Sequence, residues 1–134
     1  MTTQNGRRRV VVTGLGAITP CGNTMEETWE SIKAGRSGVS RVEEFEVPEG
    51  TPDIAGQVKG FDPLLYMDKR AARKTDRFAQ LAVAAASQAV QDADLDIAAD
   101  AARIGCSIGT GIGGLRTQET AYRKLFDADR KSVV

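Results

Sequence analysis

Two cysteines, Cys21 and Cys106, are the only thiols of this sequence, and it contains no histidine. Thiolate chemistry is thus confined to two positions, and every Cys-His or Ser-His dyad is excluded. Cys21 stands just ahead of an expected helix start, where a thiolate can be favoured. With no imidazole to activate it, a loop or packing role is the better reading. Cys106 alternates with Ile104 and Ile108 and reads as a small core hydrophobe. Two cysteines also exclude a disulfide framework and a metal site built from four thiolates. No residue of the chain is a catalytic candidate, and none is assigned to a metal.

Glycine turns are the next possible source of chemistry. Gly109-Thr110-Gly111-Ile112-Gly113-Gly114 matches G-x-G-x-x-G between an expected strand and an expected helix. A dinucleotide fingerprint also needs an acidic residue about 20 positions on, ending the next strand. Asp127 and Asp129 have that spacing, but they end a helix and no strand follows. The earlier turn at Gly14 and Gly16 lacks the third small residue. A lone fingerprint is a weak signal, so a nucleotide-binding α/β module is retained only as an alternative.

The third feature is charge. Lys69, Arg70, Arg73, Lys74 and Arg77 place five cations within nine residues, with only Asp68 and Asp76 to offset them. A solvated face is the plain reading. An acidic partner would gain from electrostatic steering at the same cluster. From the residues alone the two readings stand level.

The elements that must position these groups follow from periodicity. Val10, Val11 and Val12 lead into the first glycine turn, and an unalternating β-branched run suits a strand covered on both faces. Thr24 and Glu27 have capping-box spacing. They predict a helix over residues 25–34 that carries Met25, Trp29 and Ile32 on one face and stops at Gly35. Residues 36–63 lose periodicity under seven glycines and prolines and read as loop, with a short strand over 54–59. A helical turn over 67–74 carries the cations. A long helix over 76–92 is apolar nearly all round, hence buried nearly all round. Residues 92–100 form a polar connection. A second strand covers 104–110, with Gly105, Ser107 and Gly109 forming a small face toward the alanine-rich helix. A last helix runs over 115–126. Strand, helix, helix, strand makes an α/β fold, in which residues 10–13 and 104–110 are expected as buried parallel neighbours joined by a right-handed crossover.

At 134 residues the chain fits one domain, residues 1–134. Equal numbers of basic and acidic residues, eighteen each, leave no global field that points to nucleic acid or a membrane surface. No apolar run approaches the ~20 residues of a membrane span. Two strong strands do not make a closed sheet, so a fragment is expected.

The combined pattern is more specific than its parts. Arg8-Arg9-Val10-Val11-Val12-Thr13-Gly14-Leu15-Gly16, followed by Thr19-Pro20-Cys21-Gly22-Asn23-Thr24, resembles the N-terminus of β-ketoacyl-[acyl-carrier-protein] synthases. So do Trp29 with Gly35-Arg36-Ser37-Gly38, Arg73-Lys74-Thr75-Asp76-Arg77-Phe78, and Arg103-Ile104-Gly105 through the turn at 109–114. The likeness is to the synthase II type of bacterial fatty acid synthesis and runs from about Arg8 to about Lys131. Arg130-Lys131-Ser132 is similar to the family's entry into a loop, whereas Val133-Val134 departs from it.

This resemblance implies the incomplete N-terminal half of a thiolase-like fold layered α-β-α-β-α. It implies a cytoplasmic, homodimeric acyltransferase that needs no cofactor and joins malonyl and acyl thioesters presented by acyl carrier protein. The family's catalytic cysteine and two histidines would lie beyond Val134. Carried over residue by residue, Ile112 matches the isoleucine lining the acyl pocket, and Arg70, Arg73 and Lys74 match a patch that receives the carrier protein. The resemblance thus moves the charge cluster toward function. A type II polyketide ketosynthase is the other reading within the same chemistry.

Overall fold

The computed structural model of the chain describes residues 9–43 and 45–131. Arg7 and Arg8 of the basic lead-in, Glu44, and Ser132, Val133 and Val134 lie outside the described residues.

Helix α1, Met25–Lys33, forms where the capping box predicts it. The Glu27 amide donates to Thr24 Oγ1 at 3.1 Å, and the Glu27 carboxylate accepts the Asn23 amide at 2.7 Å. At the other end Arg36 N donates to Ser31 O and Gly35 N to Ile32 O, with Gly35 at φ 65°. These two bonds and the left-handed glycine make a Schellman stop. The face that α1 buries is polar: Thr28 and Ser31 are buried, while Trp29 and Ile32 stay half exposed. Burial of two hydroxyls is tolerated because both are paired. Thr28 Oγ1 meets Thr19 Oγ1 at 3.0 Å, and Ser31 Oγ donates to Cys21 O at 2.7 Å. The turn itself is closed by reciprocal Thr19 and Gly22 backbone bonds.

Strands β1 (Val39–Arg41) and β2 (Ile54–Gly56) pair antiparallel, with Ser40 opposite Ala55. The short strand expected at 54–59 is therefore present at its N-terminal half; its partner was not expected from the sequence. Arg41 and Asp53 form an ion pair of 3.0 Å at the ribbon end.

Helix α2 (Lys69–Lys74) and helix α3 (Arg77–Asp92) follow, then short α4 (Ile97–Asp100) inside the connection read as polar loop, and α5 (Leu115–Lys131). Asp94, at φ 47°, takes the left-handed position after α3. Leu95 N donates to Val90 O and Asp94 N to Gln91 O, again a Schellman stop. Ala84 of α3 is the buried apolar centre of the described residues. The helix is half buried rather than buried all round: Phe78 and Val83 reach solvent because nothing in the described residues covers that side.

The expected parallel pairing of residues 10–13 with 104–110 is corrected by the structure. Among the described residues the sheet consists of β1 and β2 alone, and Val10 is 92% exposed. A ladder needs a neighbouring strand to take its amides and carbonyls, and residues 14–17 instead run along α3. The Leu15 amide donates to Asp92 Oδ2 at 2.8 Å and the Ala17 amide to Gln88 Oε1 at 3.2 Å. Cys106, expected in the core, is exposed for the same reason: residues 104–110 have no strand beside them.

Candidate functional site

Helix α2 presents the cation cluster. Six residues are too few for a helix to persist on intrinsic propensity, so its ends must be held. At the N-terminus Asp68 Oδ1 accepts the Arg70 and Ala71 amides, each at 2.8 Å. At the C-terminus the Thr75 hydroxyl donates to Ala71 O at 2.8 Å. The Gln80 carboxamide, from the first turns of α3, donates to Ala72 O at 2.8 Å and Thr75 O at 3.0 Å. Arg73 and Lys74 occupy the last turn, where the helix dipole favours positive charge.

Lys69, Arg70, Arg73 and Lys74 are all exposed and together surround an open hollow. The fifth cation of the sequence cluster is diverted. Arg77 lies over the Phe61 ring, 4.7 Å from its centroid, and Phe61 stacks on Tyr66 at 6.0 Å. Neither nearby acid forms an ion pair with the other four. Asp68 is engaged by backbone amides, and the Asp76 carboxylate accepts the Thr117 hydroxyl. Ion pairs of the described residues lie elsewhere, at Glu30–Lys33, Arg41–Asp53, Asp100–Arg103 and Glu119–Arg123. The patch is a concentration of positive charge that no carboxylate of the described residues meets in an ion pair.

The second glycine turn sits across Asp76 from this patch. Gly113 takes φ 72°, its amide donates to Thr110 Oγ1 at 3.1 Å, and Gly114 lies against the Asp76 carboxylate. The turn projects Ile112, which is 74% exposed. Space around Gly105, Gly109 and Gly111 is open. As a dinucleotide site this turn is incomplete, because Asp127 lies within α5 and no strand intervenes. The first turn has a different job. A Cβ on Gly16 would strike the Ala85 carbonyl and come within 2.7 Å of Ala89 N, and one on Gly14 would meet Ala93 N at 2.6 Å. Gly14 and Gly16 are therefore small so that the backbone can lie on α3.

The thiols stay apart. Cys21 is half buried, with Sγ 3.9 Å from Arg36 O, while Cys106 stands exposed on the unpaired segment. No group of three or more metal-ligating side chains gathers among the described residues. Sequence reasoning missed Gln80 and Gln88, both on α3. The signal was present: two amide side chains in an alanine-rich helix need partners once that helix packs. Gln88 finds them in Asn23 O at 2.7 Å, Tyr66 Oη at 2.9 Å and the Ala17 amide.

Residues 7–133 match the family model for the beta-ketoacyl synthase, N-terminal domain. The chain is 45% identical over 128 residues to 3-oxoacyl-[acyl-carrier-protein] synthase 2 of Vibrio cholerae serotype O1, covering 95% of this chain and 31% of that protein. It is 42% identical to the protein of the same name from Staphylococcus aureus strain COL, covering 94% of this chain and 31% of the relative. Among solved structures, the ishigamide ketosynthase/chain length factor superposes with a TM-score of 0.76 at 30% identity, over 92% of this chain and 31% of that one. The chain thus spans about a third of the length of the curated relatives it matches.

Proposed function

The chain belongs to the β-ketoacyl synthase family through its N-terminal domain, and from that premise we propose that it supplies the carrier-docking helix and one wall of the acyl pocket to a β-ketoacyl-[acyl-carrier-protein] synthase. The reaction is a decarboxylative Claisen condensation of fatty acid elongation. A cysteine thiolate takes the acyl group from its carrier and releases the carrier thiol. The malonyl thioester loses carbon dioxide, and its enolate carbon attacks the enzyme-bound acyl carbonyl. A carbon–carbon bond forms and the cysteine thiolate leaves. This chain's own residues would bind and orient. Arg70, Arg73 and Lys74 receive the acidic carrier protein, and Ile112 borders the acyl tail in a cytoplasmic homodimer of the whole enzyme.

The observation that carries this reading is the charge of α2: four exposed cations around one hollow with no acid of the described residues paired to them. Such a patch steers an acidic protein and sets the salt dependence of its capture. Catalysis is not assigned to this chain alone. Cys21 and Cys106 are its only thiols, and it has no histidine to stabilise an enolate or an oxyanion. No helix among the described residues is long and apolar enough to cross a membrane.

A second reading, a ketosynthase working on other acyl chains such as those of a type II polyketide system, is supported by the 30% identity to a ketosynthase/chain length factor. The 42–45% identity to proteins named 3-oxoacyl-[acyl-carrier-protein] synthase 2 favours the first. Immobilised apo acyl carrier protein should retain the 134-residue chain at low salt and release it as salt rises. Arg73→Glu with Lys74→Glu should abolish retention. Retention on immobilised nucleotide, with none on the carrier protein, would contradict the proposal.

A further inference from the structure

The basic helix that this reading assigns to docking has only six residues, and its last turn is held by groups from outside it. Its last four carbonyls, those of residues 71–74, have no partner inside the helix. The Thr75 hydroxyl takes Ala71 O, and one carboxamide from α3 takes Ala72 O and bridges on to Thr75 O. Gln80 therefore ties the α2 C-terminus, where Arg73 and Lys74 stand, to the one helix that carries the buried centre at Ala84. Its carboxamide is half buried.

We propose that Gln80 is a positioning residue for carrier capture: by holding the last turn of α2 against α3 it fixes Arg70, Arg73 and Lys74 in one arrangement before the acidic partner arrives. The inference rests on α2 being the docking helix. It has a kinetic signature distinct from that of the charges. Long-range steering depends on net charge, which Gln80 does not alter, so association should be insensitive to its loss. A loosened α2 must be ordered on binding, and that cost appears in how long the complex lasts.

The test measures association and dissociation rates of the 134-residue chain on apo acyl carrier protein, with hydrogen exchange of the α2 and α3 amides in parallel. Arg73→Glu with Lys74→Glu should slow association, most at low salt. Gln80→Met should leave association within about 2-fold while raising dissociation roughly 3- to 10-fold, and should speed exchange in α2 but not in the middle of α3. If the charge reversal acts and Gln80→Met changes neither rate, Gln80 has no positioning role and the docking reading survives. If the charge reversal has no effect, the docking reading falls and this inference with it. Should Gln80→Met lose helical signal, Gln80→Ala removes the same two bonds with a residue that favours the helix. It must then raise dissociation in the same way, and an unaltered rate for Gln80→Ala overturns the proposal.

Discussion

The Gln88 carboxamide accepts the Ala17 amide at 3.2 Å across 71 residues of sequence. The same side chain donates to Asn23 O and to Tyr66 Oη. One residue of α3 thus joins the first glycine turn, the α1 cap and the stack of Phe61 and Tyr66. Replacing it with alanine strands three half-buried groups, so Gln88→Ala should destabilise the chain by about 2–3 kcal/mol. An unfolding free energy, from urea titration, lowered by less than a fifth of that would show that water satisfies these groups equally well.

The two glycine turns should respond oppositely to a methyl group. Gly16→Ala forces a Cβ into the α3 backbone, and overpacking of that kind costs about 1–3 kcal/mol. Gly109→Ala meets nothing within 4 Å and should change stability by less than about 0.5 kcal/mol. Equal effects in thermal or urea unfolding would mean that the first turn does not rest on α3 in solution.

Much of this arrangement is legible in the sequence, and most of the exceptions share one physical origin. Helices whose ends are marked by side chains are found within a residue or two: Thr24 and Glu27 start α1 and Gly35 stops it. The apolar pattern ends α5 five residues short, because Phe126 is its last large apolar residue but not its last helical one. What local pattern misjudges is partnership. Val10 to Val12 and Ile104 to Ile108 have strand chemistry, yet strand formation depends on a neighbour, and the described residues offer none. Exposure of Cys106 follows from that absence. The charge cluster was correctly placed on a helical turn, but its division into four patch cations and Arg77 on Phe61 depends on a ring 16 residues upstream.

Ile112 tests the pocket half of the proposal. It stands on an open glycine turn with no packing role in the described residues. In a full-length synthase carrying this segment, Ile112→Phe should reduce kcat/KM for long acyl primers by roughly 10-fold or more while sparing short ones. An unchanged ratio of long to short primers would place the acyl tail elsewhere.

The chain alone should form no acyl-enzyme. Cys21 is half buried beside Arg36 O, Cys106 is exposed, and neither has an imidazole to activate it. Intact-mass spectrometry after incubation with acyl-carrier thioester should show the unmodified mass. A stoichiometric acyl adduct that disappears in Cys21→Ala would assign the nucleophile to this chain and overturn the division of labour proposed above.

The most direct measurement is a titration of the isotope-labelled chain with unlabelled apo acyl carrier protein, followed by amide chemical shifts at low and high salt. The account predicts that the largest shifts fall on residues 69–74, centred on Arg70, Arg73 and Lys74, and that they fade as salt screens the patch. Shifts that centre on the glycine turn at 109–114, or that leave α2 unmoved while binding persists at high salt, would contradict it.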